Sequence, residues 1–149
     1  MAQNGAERQI VATGIDGSPE SVAALSWAGR YAAATGATVR AVWAWHFPTA
    51  AGLPPEGKAP EQVTGEIEQR TRDELDEAIA KANLAASVRL ETEIVYGHPA
   101  QVLIDESRNA SLLVVGHRGH GGFAGMLTGS VAMQCVSHAA CPVVVIRGD

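Results

Sequence analysis

The 149-residue sequence predicts an α/β fold, a five-stranded parallel sheet with helices on both faces in a three-layer sandwich. Three observations predict it. Short apolar runs alternate with helical stretches throughout, in the order β-α-β-α-β-α-β-α-β, and strands joined through helices pair in parallel. The run "SLLVVG" (111–116) is apolar without a break, as a strand buried on both faces must be. The special turn residues follow strands one and four, and open α/β sheets bind ligands beyond the carboxyl ends of their strands, where strand order reverses.

The elements follow in order. "QIVATGI" (9–15) is the first strand, and "DGSP" after it is a turn. Ser18 can cap a helix that has Pro19 at its first position and runs through an alanine-rich stretch to Thr35, where Gly36 stops it. "TVRAVWAW" (38–45) is strand two, with Trp43 and Trp45 alternating about Ala44 and expected to pack. Residues 46–60 carry four prolines and read as an exposed loop. A helix from Glu61 to Asn83 puts Ile67, Leu75, Ala78, Ile79 and Ala82 on one face. Glu66/Arg70, Glu68/Arg72 and Glu77/Lys81 are spaced to pair along a solvated face. "SVRLETEIV" (87–95) alternates like an edge strand, Pro99 opens the third helix, "SVAMQCVSHA" is the fourth, and "CPVVVIRG" is strand five. Without an internal repeat or a long linker, residues 1–149 read as a single domain.

Composition narrows the function classes. Hydrophobic residues make up 46% and charged residues 18%, the balance of a globular chain. Eleven basic against sixteen acidic residues give a net charge of −5, and Lys58 and Lys81 are the only lysines. Nucleic acids and anionic membranes are bound through clustered cations, so neither is an expected partner. No secretory signal or membrane-length apolar run is present, which points to the cytoplasm. Cys135 and Cys141 lie six residues apart, match no redox motif, and read as small buried hydrophobes.

The densest signal is "VVGHRGHGGFAGMLTGSV" (114–131), with six glycines in eighteen residues. Such a loop between a buried strand and a helix presents backbone N–H groups and a helix start to an anion, usually phosphate. It is not a Rossmann fingerprint, because strand one ends in "GIDGS". Nor is it a Walker loop, because it has no lysine.

"GHRGHGGFAGMLTGS" fits the pattern G-x2-G-x9-G-(S/T) at Gly116, Gly119, Gly129 and Ser130. It resembles the motif of the ATP-binding branch of the universal stress protein family. "GIDGSPES" is similar to that family's start, "YGHPAQVLIDES" to its passage from strand three into a helix, and "CPVVVIR" to its last strand. The resemblance implies an adenine nucleotide α-hydrolase-like fold with ATP and Mg²⁺ as cofactors. It places Asp16 beside the nucleotide with Gly14 next to it, and Ala44 where a strand-two backbone meets adenine. Gly116 and Gly119 would line the ribose and phosphates, and Gly129, Ser130 and Val131 would offer donors to the phosphates. His117, Arg118, Gly121 and Gly122 complete the expected binding loop. Ala44 departs from the β-branched residue of many relatives, which should loosen the adenine pocket slightly.

Each of these residues has a plainer reading. Asp16 can be a turn former before Ser18; beside the glycine loop it can instead bind an adenosine group or the metal. His117 and His120 have an H-x-x-H spacing, but without a nearby third ligand a metal reading is weak. Arg118 can neutralise phosphate or face water. His46, His98 and His138 stand at element ends with no evident partners. The leading expectation is an ATP-binding stress or signalling regulator. The alternatives are a slow ATP hydrolase, whose catalytic candidates His117, Arg118 and His120 form no recognisable constellation, and a dimeric interaction protein without nucleotide. The β-branched run "PVVVIRG" at a sheet edge predicts a homodimer through the C-terminal strand.

Overall fold

The computed structural model describes residues 8–46, 60–118 and 129–148. Its elements are β1 (Ile10–Gly14), α1 (Pro19–Thr35), β2 (Thr38–Trp45), α2 (Pro60–Ala82), β3 (Arg89–Tyr96), α3 (Pro99–Ser107), β4 (Leu112–Gly116), α4 (Ser130–His138) and β5 (Val143–Ile146). The sheet runs β3-β2-β1-β4-β5, and every neighbouring pair is parallel. The chain steps outward from β1 to β3, then returns to the other side of β1 through β4. The reversal of strand order therefore lies between β1 and β4.

Two cores fill the sandwich, one per face. Val11, Val39, Ala41 and Val114 meet Leu25, Ala28 and Ala32 of α1 and Leu75 and Ala78 of α2. Ala12, Val42, Leu113 and Val115 meet Val102 and Leu103 of α3 and Ala132 and Cys135 of α4. Alternating residues of each strand thus serve opposite faces, and β1 and β4 are apolar on both. Trp43 and Trp45 are buried, as their alternation predicts. Trp45 packs on Val63, which lies on the same side of α2 as Ile67.

The element ends follow their local chemistry. The Ser18 side chain accepts the Ser21 N–H, Pro19 follows as the first helical residue, and Gly36 ends α1 at φ +80°. Asn83, at φ +54°, stops α2 in the left-handed region that asparagine tolerates. On the solvated face of α2, Lys81 meets Glu77 at 3.3 Å, and both side chains are exposed. β3 is an edge strand, as its alternation predicts.

Two expectations need correction. Strand five is shorter than its apolar run, because Pro142 has no N–H to give and β5 starts only at Val143. Cys135 is buried, but Cys141 is only half-buried. Burial, with a smaller contribution from Cys141, pushes the Cys135 thiol up to about 11, so it packs as a protonated hydrophobe. The sequence also gave no sign of the charge cluster on Arg40. Its guanidinium lies 3.0 Å from Glu91, 3.9 Å from Glu93 and 3.5 Å from Glu106, joining β2, β3 and α3.

Candidate functional site

The site begins with how β1 and β4 end. Beyond β1, the Ile15 N–H donates to the Val42 carbonyl at 2.9 Å and carries the pairing one step further. The chain then turns sharply: Asp16 Oδ1 accepts the Ser18 N–H at 2.9 Å, and Gly17 takes φ +83°, open to glycine at little cost. The Asp16 N–H reaches Ser21 Oγ at 3.3 Å, and that hydroxyl donates to the Ser18 carbonyl at 2.9 Å. Asp16 is therefore a turn former in fact, and one of its carboxylate oxygens is committed to the turn.

β4 ends against the start of α1. A Cβ on Gly116 would lie 2.9 Å from the backbone carbon of Glu20, so this approach of strand to helix needs glycine. His117 follows. It is buried, its N–H donates to the Ile146 carbonyl at 2.6 Å, and its own carbonyl accepts the Gly129 N–H at 2.7 Å. These two bonds tie β4, β5 and the start of α4 together. Among the described residues, His117 Nε2 is buried with no hydrogen-bond partner.

α4 starts differently from α1. Its N-cap is Gly129, extended at φ −66° and ψ 155°, with no side chain to accept from the first turn. The leading N–H groups of a helix have no carbonyl partner inside it, and they carry the positive end of its dipole.

Both helix starts open on one cavity of about 210 Å³, at the reversal between β1 and β4. Its apolar wall is Val42, Ala44, Leu103 and Val115, with Pro99 at the rim; its polar end holds Asp16, Ser18, Ser21 and the start of α4. Apolar walls beside a few convergent donors suit a flat organic group carrying an anion.

Of the residues expected at a site, Gly14, Asp16, Ala44, Gly116, His117, Arg118, Gly129, Ser130 and Val131 all line this cavity. Gly119, Gly121 and Gly122, like His120, lie outside the described residues. Arg118 and Ser130 are exposed, and Asp16 and Val131 are half-buried. Among the lining residues that sequence reasoning did not place at the site are Ser21, Val42 and Leu103. Ser21 had a legible signal, a hydroxyl three residues past an N-cap serine. Leu103 had none, because only the packing of α3 on β1 brings it over Gly14, where a Cβ would lie 2.6 Å from its Cδ1.

Residues 7–147 match the model of the universal stress protein family. A universal stress protein of Mycolicibacterium smegmatis is 36% identical over 146 residues, covering 94% of this chain and 46% of the relative. Universal stress protein MJ0531 of Methanocaldococcus jannaschii is 32% identical over 137 residues, covering 89% of this chain and 78% of the relative. The chain spans about half the length of the mycobacterial relatives it matches. Among solved structures, a universal stress protein in complex with cAMP superposes with TM-score 0.71 at 29% identity, covering 95% of this chain and 98% of that one. The Archaeoglobus fulgidus universal stress protein in complex with dAMP has TM-score 0.59 at 21% identity, covering 94% and 98%, a likeness of fold.

Proposed function

The chain belongs to the universal stress protein family, and we propose from that premise that it binds ATP in the cavity between β1 and β4 and acts as a nucleotide-dependent stress regulator. The observation that carries this reading is the open start of α4. Gly129 leaves the first N–H groups of that helix without a side-chain cap, inside a cavity with an apolar wall. Phosphates belong at Gly129, Ser130 and Val131, with Gly116 and the glycines Gly119, Gly121 and Gly122 allowing close approach. Adenine belongs against Ala44, Val42 and Leu103, and His117 and Arg118 border the phosphate end. The cAMP complex of a relative 29% identical supports an adenine nucleotide as the ligand class.

Asp16 fits a supporting role toward Mg²⁺. One carboxylate can assist a cation held mainly by phosphate oxygens and water. Asp16→Ala then weakens ATP binding more with Mg²⁺ than without it, whereas equal losses would put Asp16 on adenosine.

Mass spectrometry of nucleotide released from the denatured purified protein, with calorimetric titration of ATP and cAMP, tests the reading. Gly119→Val should abolish ATP binding and leave the fold intact. Binding as tight as wild type would remove the loop from the phosphate site.

A second copy is the proposed partner, paired antiparallel along β5. That strand is an edge of four half-buried apolar residues, and Met133 and Val136 of α4 stand 53% and 58% exposed nearby. Light scattering should find a dimer that Val144→Lys dissociates; a fully dimeric Val144→Lys variant would refute the strand pairing.

A further inference from the structure

The His46 and His98 rings, which sequence reasoning left without partners, meet at the carboxyl edge of the sheet. Their centroids are 4.8 Å apart and their planes are inclined by 43°, neither stacked nor edge-on. Both residues are exposed. The backbone beneath them is fixed. The Gly97 N–H donates to the Trp45 carbonyl at 2.8 Å, which locks the chain just before His98 to the chain just before His46. Gly97 has φ +152°, and a Cβ there would lie 2.9 Å from Val102, so this link depends on glycine. His98 occupies the N-cap of α3, yet its side chain makes no capping hydrogen bond. The imidazole stands toward His46 instead of serving the helix.

The geometry points to a site for a divalent transition-metal ion shared by His46 and His98. An imidazole nitrogen lies about 1.1 Å from its ring centre and about 2.0–2.1 Å from a bound zinc, so the metal sits about 3.2 Å from each centroid. Two such rings at adjacent positions, separated by an angle of about 90–109°, hold their centroids about 4.5–5.2 Å apart. The observed 4.8 Å falls inside that interval. Imidazole selects Cu²⁺, Ni²⁺ and Zn²⁺ over Mg²⁺, and affinity rises toward Cu²⁺. Among the described residues, no group of three metal-ligating side chains comes together, so His46 and His98 are the two protein ligands of the proposed site.

The pair is joined along the chain to residues of the cavity. His46 follows Ala44 by two residues and His98 precedes Pro99, and both Ala44 and Pro99 line the cavity wall. The metal site nonetheless stands independently of the ATP reading, since it shares no ligand with the phosphate end.

Calorimetric titration of untagged protein with CuCl₂, ZnCl₂ and MgCl₂ tests it, together with the nitrogen hyperfine pattern of bound Cu²⁺. One equivalent of Cu²⁺ should bind more tightly than Zn²⁺, with two nitrogen donors, and Mg²⁺ should not compete. His46→Ala and His98→Ala should each lose more than about tenfold in Cu²⁺ affinity, with the thermal melt and ATP titration unchanged. His138→Ala, which removes an exposed imidazole at the far end of α4, should bind like wild type. Full affinity in either His46→Ala or His98→Ala, or an equal loss in His138→Ala, overturns the site. Loss of ATP binding in wild type would bear on the nucleotide reading alone.

Discussion

The starts of α1 and α4 face the same cavity and are built in opposite ways. At α1, Ser18 accepts the Ser21 N–H, Asp16 accepts the Ser18 N–H, and the Ser21 hydroxyl closes the turn. That end supplies its own acceptors. At α4, Gly129 offers no side chain, and its N-cap position makes no capping bond to the first turn, which lines the cavity. A capped helix start gains about 1 kcal/mol of stability and has little left to offer a ligand. The uncapped one forgoes that gain and, under the proposed reading, presents its donors to an anion. Under the proposed reading, stability and binding thus fall to helix starts on opposite faces of the sheet.

The largest test converts the open end into the closed kind. Gly129→Asp supplies a capping carboxylate, which Gly129's extended backbone accepts. ATP affinity should fall by on the order of hundredfold, while stability stays level or rises by a few tenths of a kcal/mol, about what Asp gains over Gly at an N-cap. Calorimetry and a thermal melt read the two effects separately, and undiminished ATP affinity would show that the α4 start binds no phosphate. Next in size is the wedge between the two ends. Gly116→Ala drives a methyl group into the Glu20 backbone and should cost about 1–3 kcal/mol in urea unfolding. A loss below about 0.5 kcal/mol would mean that α1 shifts freely away from β4.

Ser18→Ala opens the closed end. It should cost about 1 kcal/mol of stability and change ATP affinity by less than about threefold, the reverse of Gly129→Asp. An equal loss of affinity in the two variants would erase the distinction between the helix starts.

The smallest effect lies away from both. Burial, then the hydrogen bond and charge of Glu93, raise the Glu106 carboxyl above its ordinary value, against the opposing pull of Arg40. Because the folded value is the higher one, the stability contributed by the protonated form is complete below about 4.5 and is lost as pH rises through the raised value. Glu106→Gln should therefore flatten the decline of melting temperature with rising pH in this range and leave ATP binding untouched. An unchanged pH profile would show that Glu106 ionises without cost.

Much of the fold was legible because its signals are local. Ser18, Pro19 and Gly36 mark the ends of α1 by chemistry that operates within a few residues, and "SLLVVG" announces a strand covered on both faces. Most of the cavity was legible for a related reason: ligand-binding ends of a parallel sheet need turns, and Asp16, Gly116 and Gly129 are turn and close-approach residues. Leu103, the Arg40 cluster and the His46–His98 pair left no trace. Each depends on which strands become neighbours, and contacts between residues 40 and 106, or 46 and 98, carry no periodicity or spacing along the chain.

By itself, then, the sequence determined the order of elements, their capping and the residues able to surround an anion, since propensity, hydrophobic period and turn chemistry act over one or two turns of chain. Only the tertiary structure decided that the starts of α1 and α4 open on one cavity, that Leu103 closes over Gly14, and that two distant imidazoles share one edge. Those facts arise when the sheet sets β2 beside β3 and β1 beside β4, because pairing between strands brings together side chains whose separation along the chain sets no preference for contact.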